Sequence, residues 1–285
     1  MQKKIKLFDF KDWPSWGADY ISTKLNSMIS DDFKRKRTIF NKFSELHIPL
    51  KKIASNVYDA IYAINGKGIA FRMRINNSDP EVFDQIILKK EYLPLVELIK
   101  EKKKDPLVLV DLGANTGYTS IYLSAFFKLN KIILVEPQDE TFEILRHNVQ
   151  SQLSKTKCIL EHKGVWSKTT RLNVNPLFRD GKAWSYSLVE DNANGKIEVI
   201  GIKELIDKNG LEEIDILKID IEGAEADLFQ YTGLMSSILT KTRFIAIEIH
   251  DEFECRDRIE KILEQSHFSF FNAGELTIGF NLKKY

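Results

Sequence analysis

The sequence predicts an α/β fold: a doubly wound, mostly parallel sheet of seven strands (Rossmann-like), ending in an antiparallel hairpin and preceded by a helical and β-hairpin extension. Three observations carry that expectation. From Leu107 onward, short apolar runs alternate with stretches of helical period and length. The first run, Leu107-Val108-Leu109-Val110, opens onto Asp111-Leu112-Gly113-Ala114-Asn115-Thr116-Gly117, a glycine-bearing turn where a strand becomes a helix. The two closing runs, Phe268–Phe271 and Leu276–Leu282, are separated by a turn around Ala273-Gly274, too short for a crossover, so they pair antiparallel.

The elements follow in order. Between Lys3 and Lys52 there are twelve Lys/Arg against six Asp/Glu, including the run Lys34-Arg35-Lys36-Arg37. Ile21, Leu25, Met28 and Ile29 recur at helical spacing, so this region reads as helix, with the basic run as a solvated face. Val57–Ile64 and Lys67–Arg74 flank Asn65-Gly66, a pair that accepts the positive φ of a two-residue hairpin. Pro80 opens a helix to about Lys90, and Pro94 another to Lys103. Residues 1–104 are therefore expected to form the extension and 105–285 the α/β domain.

Within that domain, strands are expected at Leu107–Val110, Lys131–Glu136, Cys158–Glu161, Ile214–Ile219 and Phe244–Ile249, before the closing pair. Helices are expected at Gly117–Phe127, Asp139–Gln150, Gly223–Tyr231 and Glu254–Gln265. From Thr169 to Ile206 the helical pattern stops, and β-like pieces such as Lys196–Ile202 suggest an inserted arm.

Composition narrows the function classes. A net charge of +1 gives the whole molecule no electrostatic pull toward nucleic acid or an anionic membrane. Cys158 and Cys255 are too few for a disulfide framework and lack metal-ligand spacing. Met1–Phe10 lacks the apolar core of a signal peptide, and no run approaches the roughly 18 apolar residues of a membrane span. A cytoplasmic protein is the expectation.

The chemistry sits at strand ends. In open α/β sheets ligands bind beyond the carboxyl ends of the strands, where the winding reverses. Gly113 permits close approach of backbone, Asn115 tolerates positive φ, and Gly117 allows a tight entry into the helix. A dinucleotide site would want glycine at 113, 115 and 118, but Asn115 and Tyr118 break that pattern. With no pyrophosphate to cradle, the loop suits the aminocarboxypropyl arm of S-adenosylmethionine. Glu136, closing Ile132-Ile133-Leu134-Val135 ahead of Pro137, can accept hydrogen bonds from both ribose hydroxyls of a nucleoside. In Leu217-Lys218-Ile219-Asp220-Ile221-Glu222, alternation puts Lys218, Asp220 and Glu222 on one side of an extended chain. A Lys218–Asp220 ion pair would offset the cost of burying either charge. Glu248-Ile249-His250-Asp251 ends the next strand in the same way. Asp220, Glu222, Glu248 and His250 are thus candidates for a general base, or for the ligands of a divalent cation.

Taken together, Asp-Leu-Gly-Ala-Asn-Thr-Gly with Tyr118, Val135-Glu136-Pro137, Gly164-Val165-Trp166-Ser167 and Lys218 through Glu225 resemble the FkbM-type methyltransferases. So does the lead-in from Asn77 to Tyr92; the likeness spans roughly Arg72 to Phe253 and leaves the first 70 residues unexplained. The resemblance implies a class I methyltransferase fold and O-methylation of hydroxyls on sugars, glycolipids or polyketide-type molecules. It implies that Gly113, Ala114, Asn115, Thr116, Gly117 and Glu136 hold S-adenosylmethionine and that the segment from Asp220 to Glu225 forms the reaction side. Asp111, Pro137, Val165 and Asp220 join the cofactor-binding candidates by position; Asp220, Glu222, Lys218 and His250 are the catalytic candidates, and the expected partner is a small molecule or glycan. Trp166, Trp184 and Tyr186 are candidate aromatic platforms for a sugar. The rivals fare worse. An amino-methyltransferase of nucleic acid wants an Asp/Asn-Pro-Pro-aromatic loop where this chain has Asp220-Ile221-Glu222-Gly223, and neither cysteine follows a proline as a cytosine C5 nucleophile would. A protein acceptor, or a non-catalytic binding protein on the same fold, are the remaining alternatives.

Overall fold

The computed structural model describes residues 31–102, 107–174, 188–190 and 195–284, so the expected helix around Ile21–Ile29 lies outside the described residues. The chain divides into two compact units that part between Val82 and Phe83. The helix Leu93–Lys102, expected in the extension, falls in the second unit and buries Leu95, Val96 and Ile99.

In the first unit, α1 (Asp31–Glu45) precedes β1 (Leu50–Ala54), β2 (Val57–Ile64) and β3 (Lys67–Arg74), which pair antiparallel in that order. Asn65 and Gly66 take φ of 49° and 75°, the left-handed pair a two-residue hairpin needs. The basic run lies on α1, where Arg35 pairs with Glu81 at 2.9 Å.

The chain then runs through α2 (Asp79–Phe83) into a π-helical turn, Asp84–Leu88, instead of the single helix expected to about Lys90. The second unit continues with α3 (Leu93–Lys102), β4 (Leu107–Leu112), α4 (Tyr118–Phe126), β5 (Leu129–Val135), α5 (Asp139–Gln152) and β6 (Lys157–Glu161). An arm follows, comprising β7 (Gly164–Trp166), β8 (Thr170–Val174), β9 (Leu188–Glu190) and β10 (Ile197–Gly201). Next come α6 (Ile202–Lys208), β11 (Ile214–Ile219), α7 (Glu225–Leu228), α8 (Thr232–Leu239), β12 (Thr242–Glu248), α9 (Arg256–Gln265), β13 (Phe268–Ala273) and β14 (Leu276–Asn281).

The main sheet has the order β13-β14-β12-β11-β4-β5-β6. All adjacent pairs are parallel except those made by β14, which runs antiparallel to both β12 and β13. This is the seven-stranded class I methyltransferase topology. β11 is buried at every position, and its apolar residues join those of β4, β5 and β12 in one core. Full burial of each such side chain contributes roughly 1.5–3 kcal/mol. The chain winds outward in opposite directions from β4 and β11, so the switch point lies at their carboxyl ends.

Three helix expectations and one candidate aromatic platform need correction. Where one helix Gly223–Tyr231 was expected, α7 and α8 are separate, because Tyr231 leaves helical geometry at φ −92°, ψ 76°. The helix expected from Glu254 begins at Arg256, since Glu254 is left-handed at φ 50°. The region expected to lack helices holds α6, which buries Ile202, Leu205 and Ile206 at helical spacing. The arm is a four-stranded sheet, β7-β10-β8-β9, whose Trp166 packs with Leu172, Val199 and Ala224. Buried there, Trp166 is a core residue and offers no open face to a sugar; Trp184 and Tyr186 lie outside the described residues. No helix among the described residues is long and apolar enough to cross a membrane.

Candidate active site

The site begins with how the loop after β4 is tied down. The N–H groups of Gly113 and Ala114 both donate to Val135 O (3.0 and 2.8 Å), fixing the loop across the end of β5. Asn148 Nδ2 donates to Thr116 O at 2.9 Å from α5. Gly113 and Asn115 take φ of 75° and 48°, and Gly117 takes 81°. A Cβ on Gly113 would stand 1.7 Å from Asp220 O, and one on Gly117 2.7 Å from Leu145 Cδ1. Gly113 is therefore required by close approach of backbone as well as by φ, and Gly117 by φ. Ala114 and Val165 are buried, and Pro137 is exposed at the start of the next loop.

Glu136 closes this cradle. Its Oε2 accepts from Asn115 N–H (3.0 Å) and its Oε1 from Gln138 N–H (2.9 Å). Each oxygen keeps a second lone pair, so the carboxylate can still accept a pair of hydroxyls. Burial, at 7% exposure, drives its pKa up to about 7, against the lowering effect of those two N–H bonds.

Behind the loop stands a buried ion cluster. Lys218, 2% exposed, donates from Nζ to Gly113 O at 2.6 Å and lies 3.4 Å from Asp111 Oδ1 and 3.3 Å from Asp220 Oδ2. Burial lowers the ammonium's pKa, but the carboxylates of Asp220 and Asp111 overcome it and hold it well above the ordinary lysine value. Asp111 is fully buried and also accepts from Ser120 Oγ at 2.7 Å. Both residues thus face inward: Lys218 is a brace between β4 and β11, and Asp111 supports it from behind.

Beyond the ends of β11 and β12, Asp220, Glu248 and His250 each present one donor atom, all within 4.8 Å of one another. Burial first, then the nearby Asp220 carboxylate, raises the Glu248 pKa to about 8. His250 lies between two carboxylates: its Nδ1 is 3.3 Å from Glu225 Oε2, and its Nε2 is 3.6 Å from Glu222 Oε2. Burial alone would lower the imidazole, yet Glu222 and Glu225 raise its pKa to about 11. The loop carrying these acids is sharply turned: Glu222 has φ 54°, and a Cβ on Gly223 (φ 93°) would enter the Phe253 ring.

Four residues that sequence reasoning left out also converge here. Gln85, on the π-helical turn, donates from Nε2 to Glu91 Oε1 and to Glu275 Oε2, both at 2.9 Å. Glu91 is raised by burial and by the charges of Glu275 and Asp220. Tyr92 is buried, which lifts its phenol above the usual range, and it interacts with Lys218 and Asp220. The signal for Glu91 and Tyr92 was their place in the lead-in segment; Glu275, beside a hairpin turn, had none.

A class I sheet with a glycine-bearing turn at the switch point, a buried acid at the end of β5 and acids at the ends of β11 and β12 is the arrangement of the S-adenosylmethionine-dependent methyltransferases. Residues 111–270 match the family model for the methyltransferase FkbM domain. The chain belongs to that family.

Its relatives include methyltransferase sdnD of Sordaria araneosa, 25% identical over 56% of this chain and 73% of that protein. Hexuronic acid methyltransferase AglP of Haloferax volcanii is 24% identical over 61% of this chain and 69% of its own. The 2-O-methyltransferase NoeI of Sinorhizobium fredii is 25% identical over 57% and 70% respectively.

Proposed function

We propose that this enzyme O-methylates a hydroxyl of a sugar, glycan or glycosylated small molecule. The observation that carries this reading is the convergence of Asp220, Glu248 and His250 within 4.8 Å, beside the loop that fits the cofactor. S-adenosylmethionine supplies a methyl group already activated on its sulfonium. The loop Gly113–Gly117 would receive its amino-acid arm, and Glu136 its ribose hydroxyls. The fit rests on the left-handed turns that Gly113, Asn115 and Gly117 hold at the switch point and on the unused lone pairs of Glu136.

What remains for the protein is to orient a hydroxyl and take its proton. Carbohydrate hydroxyls are weak acids, so a site for them needs a positioned base. Asp220, Glu248 and His250 provide one, with Glu222 at the rim, 56% exposed at its side chain. Lys218 shares the charge of Asp220 and keeps that carboxylate aimed from β11. The names of two relatives, a hexuronic acid methyltransferase and a 2-O-methyltransferase, support a sugar acceptor.

A divalent cation is the second reading, favoured by the spacing of the same three donors. Against it, His250 is held doubly protonated by Glu222 and Glu225 and offers no lone pair until a proton leaves. Transfer of labelled methyl to a panel of glycans, hydroxylated metabolites, lipids, RNA and protein tests both, run above about pH 8 where Glu248 is ionised. Label is expected on glycans or hydroxylated small molecules, and turnover is expected to persist in excess chelator. Label confined to RNA or to protein amines would overturn the acceptor, and loss of turnover in chelator would assign the acids to a cation.

A further inference from the structure

Glu225 takes no step in the scheme above, yet it is, like Asp111, a fully buried acid beside the site. It is fully buried at the start of α7. Its Oε1 accepts from Ile221 N–H at 2.7 Å, closing the turn that carries Asp220 and Glu222. Its Oε2 has no hydrogen-bond partner, and neither has His250 Nδ1. The two atoms face each other 3.3 Å apart, close enough for an ion pair but poorly aligned for a hydrogen bond.

A buried carboxylate oxygen left without a full partner is costly, whereas turn closure needs only the other oxygen. An uncharged residue with a carbonyl would close the same turn. The carboxylate is explained by what it faces. With Nδ1 directed to the buried Glu225, the other nitrogen, Nε2, points to the exposed Glu222, on the solvent side. The ring cannot present Nε2 there and also turn it inward.

We propose that Glu225 is a positioning residue for methyl transfer, holding the His250 imidazole with Nδ1–H toward the interior and Nε2 toward the acceptor. This rests on the reading that the pocket of Asp220, Glu248 and His250 receives a hydroxyl. In the step it serves, the acceptor hydroxyl takes the place of the Glu222 carboxylate at Nε2, and the Nε2 proton leaves on that exposed carboxylate, which passes it to water. As the hydroxyl oxygen forms its bond to the methyl carbon, the O–H proton passes to Nε2 and the carbon–sulfur electron pair returns to sulfur. Glu225 balances the resulting imidazolium and is not itself protonated. The arrangement follows the logic by which a buried acid orients a catalytic histidine.

Glu225→Gln separates this role from turn closure. The amide oxygen can still accept from Ile221 N–H, but its NH2 then faces Nδ1 and repels an N–H there. The first readout is independent of any acceptor: nitrogen-15 NMR of the imidazoles at neutral pH, with the signal of His250 among the five histidines identified by its loss in His250→Gln. Nδ1 of His250 is expected to be protonated in the wild type and to move toward the unprotonated position in Glu225→Gln. The second readout is kinetic: kcat is expected to fall about 100-fold or more, with cofactor affinity unchanged within about twofold. Unchanged His250 nitrogen signals in Glu225→Gln, or wild-type kcat, would overturn the proposal. If the wild type methylates no hydroxyl at all, the acceptor reading fails, and the NMR comparison still decides whether Glu225 orients His250.

Discussion

Lys218→Met is expected to destabilise the fold by about 3–5 kcal/mol, the usual cost of removing one partner from a buried ion cluster. The methionine keeps the volume but leaves Asp111 fully buried without its cation and Gly113 O without its donor. For a chain of this size the loss corresponds to a drop in Tm of roughly 10 °C. The effect should not vary near neutrality. The folded pKa of Lys218 is raised, so its contribution is fully present below the ordinary lysine pKa and disappears only as pH climbs past the raised value. Thermal unfolding followed by circular dichroism checks this, and a Tm within about 2 °C of wild type would show that the cluster is no brace.

Gly113→Ala is expected to lower cofactor affinity at least 100-fold. The left-handed φ of 75° alone costs an alanine about 1–2 kcal/mol. The added methyl must also clear Asp220 O, 1.7 Å from where it would sit, which moves either the loop or the end of β11 by more than 1 Å. Displacements of that size at a binding loop cost roughly two orders of magnitude. Gly210→Ala is the control, since Gly210 has φ 60° and nothing within 4 Å of a Cβ. It shares the backbone cost without the overlap. Thermal unfolding of both variants reads the shared backbone cost and calorimetric titration reads the effect on the cofactor; a Gly113→Ala affinity as high as that of Gly210→Ala would contradict the close approach.

How much of this was legible depends on whether a residue announces itself locally. β11 was readable to its ends, Ile214 and Ile219, because Ile214, Ile216, Leu217 and Ile219 give a β-branched run that carries through Asp215 and Lys218 and stops at Asp220 and Glu222. Glu136, Asp220, Glu248 and His250 stood out for the same reason, as polar residues at or just past the ends of apolar runs. α8 was hidden because Gly233, Ser236 and Ser237 dilute a helical pattern that packing of Met235, Ile238 and Leu239 nonetheless sustains. The partnership of Gln85 with Glu275 spans 190 residues, and no local periodicity marks either side chain. Glu225 was visible as part of a motif, but its bond to Ile221 N–H and its approach to His250 exist only once the chain has turned at Glu222 and Gly223.

Glu136 and the loop from Gly113 to Gly117 are expected to hold S-adenosylmethionine. Calorimetric titration of the cofactor into wild type and Glu136→Ala across about pH 5.5 to 8.5 tests it most directly. Losing hydrogen bonds to a charged acceptor costs roughly 1.5–3 kcal/mol, so the variant should bind about one to two orders of magnitude more weakly. The sign with pH follows from the raised pKa of Glu136, about 7 in the folded protein. Below that value the unliganded carboxyl is protonated and must release its proton to accept the ribose hydroxyls. Wild-type affinity should therefore fall as pH drops below about 7 and level off above it, while Glu136→Ala loses this dependence. Absence of binding to the wild type, or equal affinity and equal pH dependence in the two proteins, would contradict the account.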